Sequence, residues 1–185
     1  MKYTALEELN TPRLRLRKLR LSDAENYYSR LGSSEDVTRY MLWQPHTSLQ
    51  ESMESIQSVL ARYETGSTYT WAIALQEDDS VIGRIDLLRF DEIQSSCSFA
   101  YMLGEDYWGQ GFGTEVLKAV FAFAFDKMEM QTIAADHMSE NVGSGKVMQK
   151  AGMHFVTKHT AKYEKNGRYY DAEEYRITAD DWKNL

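Results

Sequence analysis

The sequence predicts an α+β fold, a mixed and mostly antiparallel sheet with helices on both faces. Three observations predict it. Residues 69–75, 81–89 and 94–103 read as successive strands whose connections are too short for crossovers, which makes them an antiparallel meander. Leu117, Val120, Phe121, Ala124, Phe125 and Met128 recur at helical spacing within 114–128. A further strand at 132–137 comes after that helix, so it lies parallel to the strand before Gly109.

In chain order, residues 13–19 alternate, with Leu14 and Leu16 on one face and Arg13, Arg15 and Arg17 on a basic, solvated face. Ser22-Asp23-Ala24-Glu25 reads as a capping box opening a helix that runs to about Gly32. Ser48 and Glu51 repeat the box before Leu49, Met53, Ile56, Leu60 and Tyr63, a helix ending near Gly66. Tyr69, Trp71, Ile73 and Leu75 alternate, and the acidic turn 77–80 leads into the next strand. The strand at 94–103 places Cys97, Phe99, Tyr101 and Leu103 on one face. A short helix fills 142–151, with Gly152 as its C-terminal cap. The chain closes on a hairpin, 155–164 and 169–178, joined by the turn pair Asn166-Gly167.

The 185 residues suit one domain, 1–185, since a single core serves about 100–200 residues. A net charge of −7 disfavours nucleic acid and anionic membranes as partners. The one cysteine, Cys97, forms no internal disulfide and belongs to no zinc motif, so no metal is expected. Residues 1–10 lack the apolar run of a signal peptide, and no stretch reaches the roughly 20 apolar residues of a membrane span. The expected location is the cytoplasm.

The strongest local signal is Tyr107-Trp108-Gly109-Gln110-Gly111-Phe112-Gly113-Thr114, between a strand and a long helix. Glycines let backbone approach a ligand closely, and a helix start offers free N–H groups and a favourable dipole to an anion such as a pyrophosphate. A Walker A loop is excluded because no Lys-Ser/Thr pair ends the run. The dinucleotide fingerprint fails too. Thr114 stands where the third glycine belongs, and the short helix and hairpin after Asp136 are too little for a doubly wound sheet.

The loop resembles that of the GCN5-related N-acetyltransferase (GNAT) superfamily, Gln/Arg-x-x-Gly-x-Gly/Ala, here Trp108-Gly109-Gln110-Gly111-Phe112-Gly113. Trp108 departs from the usual first residue in the manner of the RimJ/RimL-like ribosomal-protein N-alanine acetyltransferases. Thr11-Pro12-Arg13-Leu14-Arg15-Leu16-Arg17, Asn141-x-x-Ser144-x-x-Val147-Met148-x-Lys150-Ala151-Gly152-Met153, and Asn166-Gly167-Arg168-Tyr169-Tyr170-Asp171 with Tyr175 and Trp182 resemble that branch in order. The resemblance implies a sheet splayed between its fourth and fifth strands, 94–103 and 132–137. It also implies acetyl-CoA as co-substrate. Backbone of Ala100, Tyr101, Met102 and Leu103 would pair with pantetheine, and Trp108 with the amides of Gly109, Gln110, Gly111, Phe112, Gly113 and Thr114 would hold pyrophosphate. Asn141 would bond the pantetheine arm, and Ser144 would lie near the sulfur.

The implied reaction is acetyl transfer to a primary amine by direct attack, the acceptor being the α-amino group of a protein or peptide. A small amine such as a polyamine, amino acid or drug is the alternative acceptor, and a catalytically silent acyl-CoA-binding module the alternative class. Ser144 ranks first as acid or proton relay, and Tyr101 lies beside the expected thioester. For the base, Asp86 is a carboxylate in mid-strand. RimL-like enzymes place a glutamate in the closing hairpin; that register gives Lys162 or Tyr163 here, with Glu164 one step beyond. Asp136 and His137 end the fifth strand, the histidine reading as structural. Cys97 reads as a buried small hydrophobe. Residues 40–46 and the hairpin would shape the acceptor pocket. Family members often pair, so a homodimer is compatible with the resemblance.

Overall fold

The computed structural model describes residues 5–185. Eight strands among them form one sheet in the order β1-β2-β3-β4-β5-β6-β8-β7. They are β1 (Leu9–Asn10), β2 (Leu14–Arg17), β3 (Tyr69–Leu75), β4 (Val81–Asp91), β5 (Ser96–Leu103), β6 (Thr132–Met138), β7 (His154–Lys165) and β8 (Arg168–Thr178). The helices are α1 (Ala24–Tyr27), widening through Gly32, α2 (Glu35–Thr38), α3 (Leu49–Glu64), α4 (Phe112–Ala122), widening through Lys127, α5 (Val142–Lys150) and α6 (Ala179–Lys183). All strand pairs are antiparallel except β5 with β6, the pair joined through α4.

The alternation of β3 divides the core. Tyr69, Trp71 and Ile73 enter an apolar layer with Val116, Leu117, Val120 and Phe121 of α4. Ala72 faces the opposite layer, with Tyr27 and Leu31 of the first helical segment and Ile56 and Val59 of α3. Large residues on one face of β3 and small ones on the other thus seat helices on both sides of the sheet.

β5 and β6 pair only at Ser96–Thr132, Cys97–Ile133 and Ser98–Ala134. Beyond Ser98 the two strands part, which opens the sheet from within. The two-residue β1 precedes the strands read from the sequence, so the splay lies between the fifth and sixth strands of the molecule rather than the fourth and fifth.

Two local expectations are corrected. The arginine face is solvated at Arg13 and Arg15 but not at Arg17. Arg17 is 3% exposed and holds Asp23 through two 2.9 Å bonds and Asp79 through a third. Its partners come from turns that a local pattern does not join. The first helix starts earlier than Ser22: a 3-10 turn covers Leu21–Asp23, and the Arg20 N–H donates to Asp23 at 2.7 Å. The Ser48 cap stands, accepting from the Glu51 N–H at 3.4 Å, while the Glu51 carboxylate turns to Thr47.

Asn166 and Gly167 both have positive φ, 54° and 76°, as the twist of a two-residue hairpin turn demands. The tip of this hairpin reaches the segment after α2. Lys165 Nζ donates to the carbonyls of Thr38 and Arg39 at 2.7 and 3.3 Å, and Gln44 Nε2 donates to Asn166 Oδ1 at 2.6 Å. Partial burial pulls the Lys165 ammonium below its ordinary pKa. No helix among the described residues is long and apolar enough to cross a membrane.

Candidate active site

The glycine loop leaves a row of donors free. The Trp108 N–H donates to Glu105 O at 3.0 Å, and the Glu115 N–H donates to Gly111 O at 3.1 Å. Between them, the amides of Gly109 to Thr114 donate to no acceptor among the described residues. Gly109 and Gly111 have φ of 72° and 83°, and Gly111 caps α4, which begins at Phe112 rather than Thr114. Unpaired amides at the positive end of a helix dipole make an anion cradle.

The cradle is fixed from β2. Arg13 stacks on the Phe112 ring at 4.0 Å, ion-pairs with Glu115 at 2.6 Å and donates to Gln110 O at 3.0 Å. A trans peptide sets N–H and C=O in opposite directions, so turning the Gln110 carbonyl to Arg13 turns the Gly111 N–H away from it. Thr11 bonds the same Glu115 at 2.6 Å, and these contacts hold its carboxyl below the usual range against the effect of burial. The opening Thr-Pro-Arg run therefore clamps the loop from about a hundred residues away.

Strand parity sorts the backbone of β5. The Gly104 N–H donates to Ile82 O of β4 at 2.8 Å, so the amides of Met102 and Ala100 also face β4. Those of Tyr101 and Leu103 face the splay. The Leu103 carbonyl accepts from the Trp108 indole at 2.8 Å, so the unusual Trp108 packs the loop against the strand end. A cavity of about 490 Å³ runs from this open edge to the cradle and the start of α5. Asn141 caps α5, its Oδ1 accepting from the Ser144 N–H at 3.2 Å.

A second cavity, about 210 Å³, lies on the other side of Tyr101, walled by Leu42, Arg89, Phe99, Asp136, His137 and Tyr163 among others. Tyr40, Met41, Tyr101, Asn141 and Ser144 line both cavities. Burial raises the Tyr101 phenol, and hydrogen bonding with Ser144 pulls it part of the way back. Asp136 accepts from Lys162 Nζ at 2.6 Å and from the Tyr163 hydroxyl. Burial and that carboxylate push the Tyr163 phenol up to about 12.

The family model of the acetyltransferase (GNAT) domain matches residues 13–154. This chain belongs to the GNAT acetyltransferase family. The uncharacterized N-acetyltransferase p20 of Bacillus licheniformis is 30% identical over 153 residues, covering 80% of this chain and 85% of that one. Two solved structures share the fold. RimL, the ribosomal L7/L12 α-N-protein acetyltransferase in complex with coenzyme A, superposes with TM-score 0.83 at 18% identity, over 95% of this chain and 99% of its own. The spermidine N-acetyltransferase of Vibrio cholerae, in complex with CoA and spermine, gives 0.79 at 18% identity, over 94% and 100%. The protein is an acetyltransferase.

Within this GNAT domain the sequence-predicted residues divide. Tyr101, Ser144, Asn141 and the glycine loop come together around the two cavities. Asp86 and Glu164 line neither. Asp86 is ion-paired with Arg84 at 2.8 Å and accepts from Thr70 at 2.5 Å; Glu164 accepts from the Gly167 N–H at 2.8 Å and closes the hairpin turn. His137 is buried. Its Nδ1 lies 2.8 Å from Met138 O, which can only accept, so the proton sits on Nδ1. Nε2 makes no hydrogen bond among the described residues, with Glu173 Oε2 3.9 Å away, and abuts Gly145, where a Cβ would come within 2.7 Å. Burial pushes the Cys97 thiol up to about 12, far from a nucleophile's range. Sequence reasoning missed Arg13, Trp108's indole bond, Arg89 and Lys165, because each acts on a partner remote from any motif or acts through side-chain geometry.

Proposed function

We propose that this enzyme transfers acetyl from acetyl-CoA to the α-amino group of a protein or peptide by direct attack, in the manner of the RimJ/RimL-like branch. The observation that carries the reading is the meeting of two cavities at Tyr101 and Ser144. The larger has the free amides and open strand edge that suit a pyrophosphate and a pantetheine arm. The smaller would admit an amine from the opposite side. Acetyl-CoA supplies an activated thioester.

The residues of the chain supply the rest. The N–H groups of Tyr101 and Leu103, turned to the splay, are donors for a developing oxyanion. The Tyr101 hydroxyl, kept protonated by burial, and Ser144 can return a proton to the departing sulfur. Deprotonation of the amine falls to a water relay, consistent with Asp86 and Glu164 lying outside both cavities. An α-amine with pKa about 8 is already about one-tenth uncharged at neutral pH, so a modest assist is enough.

A polyamine is less well served. Among the described residues Asp136 is the one acid lining the second cavity, and Lys162 already neutralises it. The deciding experiment is mass spectrometry of peptide and small-amine pools incubated with labelled acetyl-CoA. Label on peptide amino termini is expected; label confined to polyamines would overturn the assignment.

A further inference from the structure

The wall of the second cavity carries a cation that acetyl transfer itself does not use. β4 bulges between Leu88 and Asp91, and Arg89 sits there with φ of 50°. A bulge re-aims a side chain out of the regular pleat. Here it brings Arg89 to the same cavity as Ser98, Phe99, Ala100 and Tyr101. Arg89 shares this wall with Tyr163, whose hydroxyl proton goes to Asp136.

Arg89 forms no ion pair with a carboxylate among the described residues, whereas Arg13, Arg17, Arg20 and Arg84 each do. Asp136 is held by Lys162 at 2.6 Å, so two cations face a single carboxylate around this wall. An anionic group entering the cavity would meet a planar, two-pronged donor without displacing any existing ion pair. A second cationic group would be repelled.

Position sets which anion fits. Leu88, next to Arg89, lies opposite Ser98, three residues along β5 from Tyr101. At about 3.3 Å per residue that separation is roughly 10 Å. The α-carboxylate carbon of a free amino acid stands only two bonds from its amine nitrogen, far short of that separation. An acidic side chain one or two residues into an extended peptide can span it, since each residue advances about 3.3–3.6 Å.

We propose that Arg89 selects acceptors with an aspartate or glutamate at the second or third residue after the reacting amine. This rests on the peptide-acceptor reading above. The test compares wild type, Arg89→Gln and Arg89→Glu on matched peptides with Glu, Gln or Lys at positions two and three, beside free glutamate and spermidine, using labelled acetyl-CoA. The CoA-induced rise in Tm confirms that each variant is folded. Wild type is expected to favour the Glu peptides over the Gln peptides about tenfold in kcat/KM. Arg89→Gln should collapse that ratio to within about twofold, and Arg89→Glu should move the preference to the Lys peptides. Equal rates on Glu and Gln peptides in wild type, or a preference that survives Arg89→Gln, would overturn the role of Arg89 and leave the peptide reading intact. Free glutamate as the best acceptor would overturn the second-or-third-residue assignment. Turnover of spermidine alone, or of no amine, would overturn the peptide reading and this proposal with it.

Discussion

Replacing Gly111 with aspartate separates the two properties of the glycine loop, its backbone freedom and its positive end. Gly111 has φ of 83°, where a side chain costs about 1–2 kcal/mol of folding stability. Space is not the obstacle, because a Cβ there would meet only Arg13 Nη2 at 3.6 Å, an ordinary contact. Gly111→Ala therefore measures the backbone cost alone. Gly111→Asp adds a negative charge at the mouth of the amide row. About 5 Å from one phosphate at an effective dielectric near 20, that charge costs about 3 kcal/mol. This corresponds to roughly a hundredfold in Kd. Titration calorimetry with CoA, paired with thermal melts, reads both quantities. Both variants should lose similar Tm, the alanine variant should bind CoA within about tenfold of wild type, and the aspartate variant should lose at least two further decades. Near-equal Kd for the two variants would mean that the free amides of Gly109 to Thr114 do not hold the phosphates.

Ser144→Ala is expected to lower kcat more than CoA affinity, and an unchanged kcat across the pH range would remove Ser144 from proton transfer. Glu164→Gln is expected to reduce kcat/KM by no more than about 10²-fold, with the acid limb shifted rather than abolished. Asp86→Asn should show the same kinetic limit together with a stability loss of up to about 3 kcal/mol, because it leaves the partly buried Arg84 without its counter-charge; a loss beyond 10⁴-fold in either variant, with CoA binding intact, would identify that carboxylate as the base. Cys97 titrates near 9 when unfolded and about 12 when folded, so its contribution is complete below pH 9 and is lost as pH rises toward 12. Melting curves should fall from about pH 9 upward, and Cys97→Ala should remove the part of the slope below about pH 10, where tyrosines join; identical pH profiles would refute this.

What was legible in the sequence was local. The alternation in β2 and β3, the helical stripe of α4 and the Asn166-Gly167 turn are patterns of neighbouring residues, and they set the elements within a few positions. The glycine loop was legible for the same reason, since backbone freedom is written in residue type. Long-range pairings were not. Arg17 reads as one more exposed arginine until Asp79, 62 positions away, is brought beside it. Glu115 looks like a helix-surface acid until Thr11 and Arg13 reach it. The two-residue β1 and the four-residue α2 carry too little sequence for any periodicity. The carboxylates chosen from strand or hairpin position, Asp86 and Glu164, turned out to have structural partners that position alone did not reveal.

The bonds from the hairpin tip to the segment after α2 divide the enzyme into parts of unequal firmness. The acyl-CoA cradle is locked by Arg13 and Glu115 to strand and helix, close to the core. Leu42, which lines the second cavity and not the first, lies in a segment bonded at Thr38, Arg39 and Gln44 to Lys165 and Asn166 at an exposed turn. Elements held by few surface bonds open at lower free energy than the body they rest on. Warming or mild denaturant will therefore blur the choice of acceptor before it weakens the grip on CoA. The same asymmetry gives a route for change: altering the length or sequence of one hairpin tip re-cuts the acceptor side while the cofactor side stays as it is.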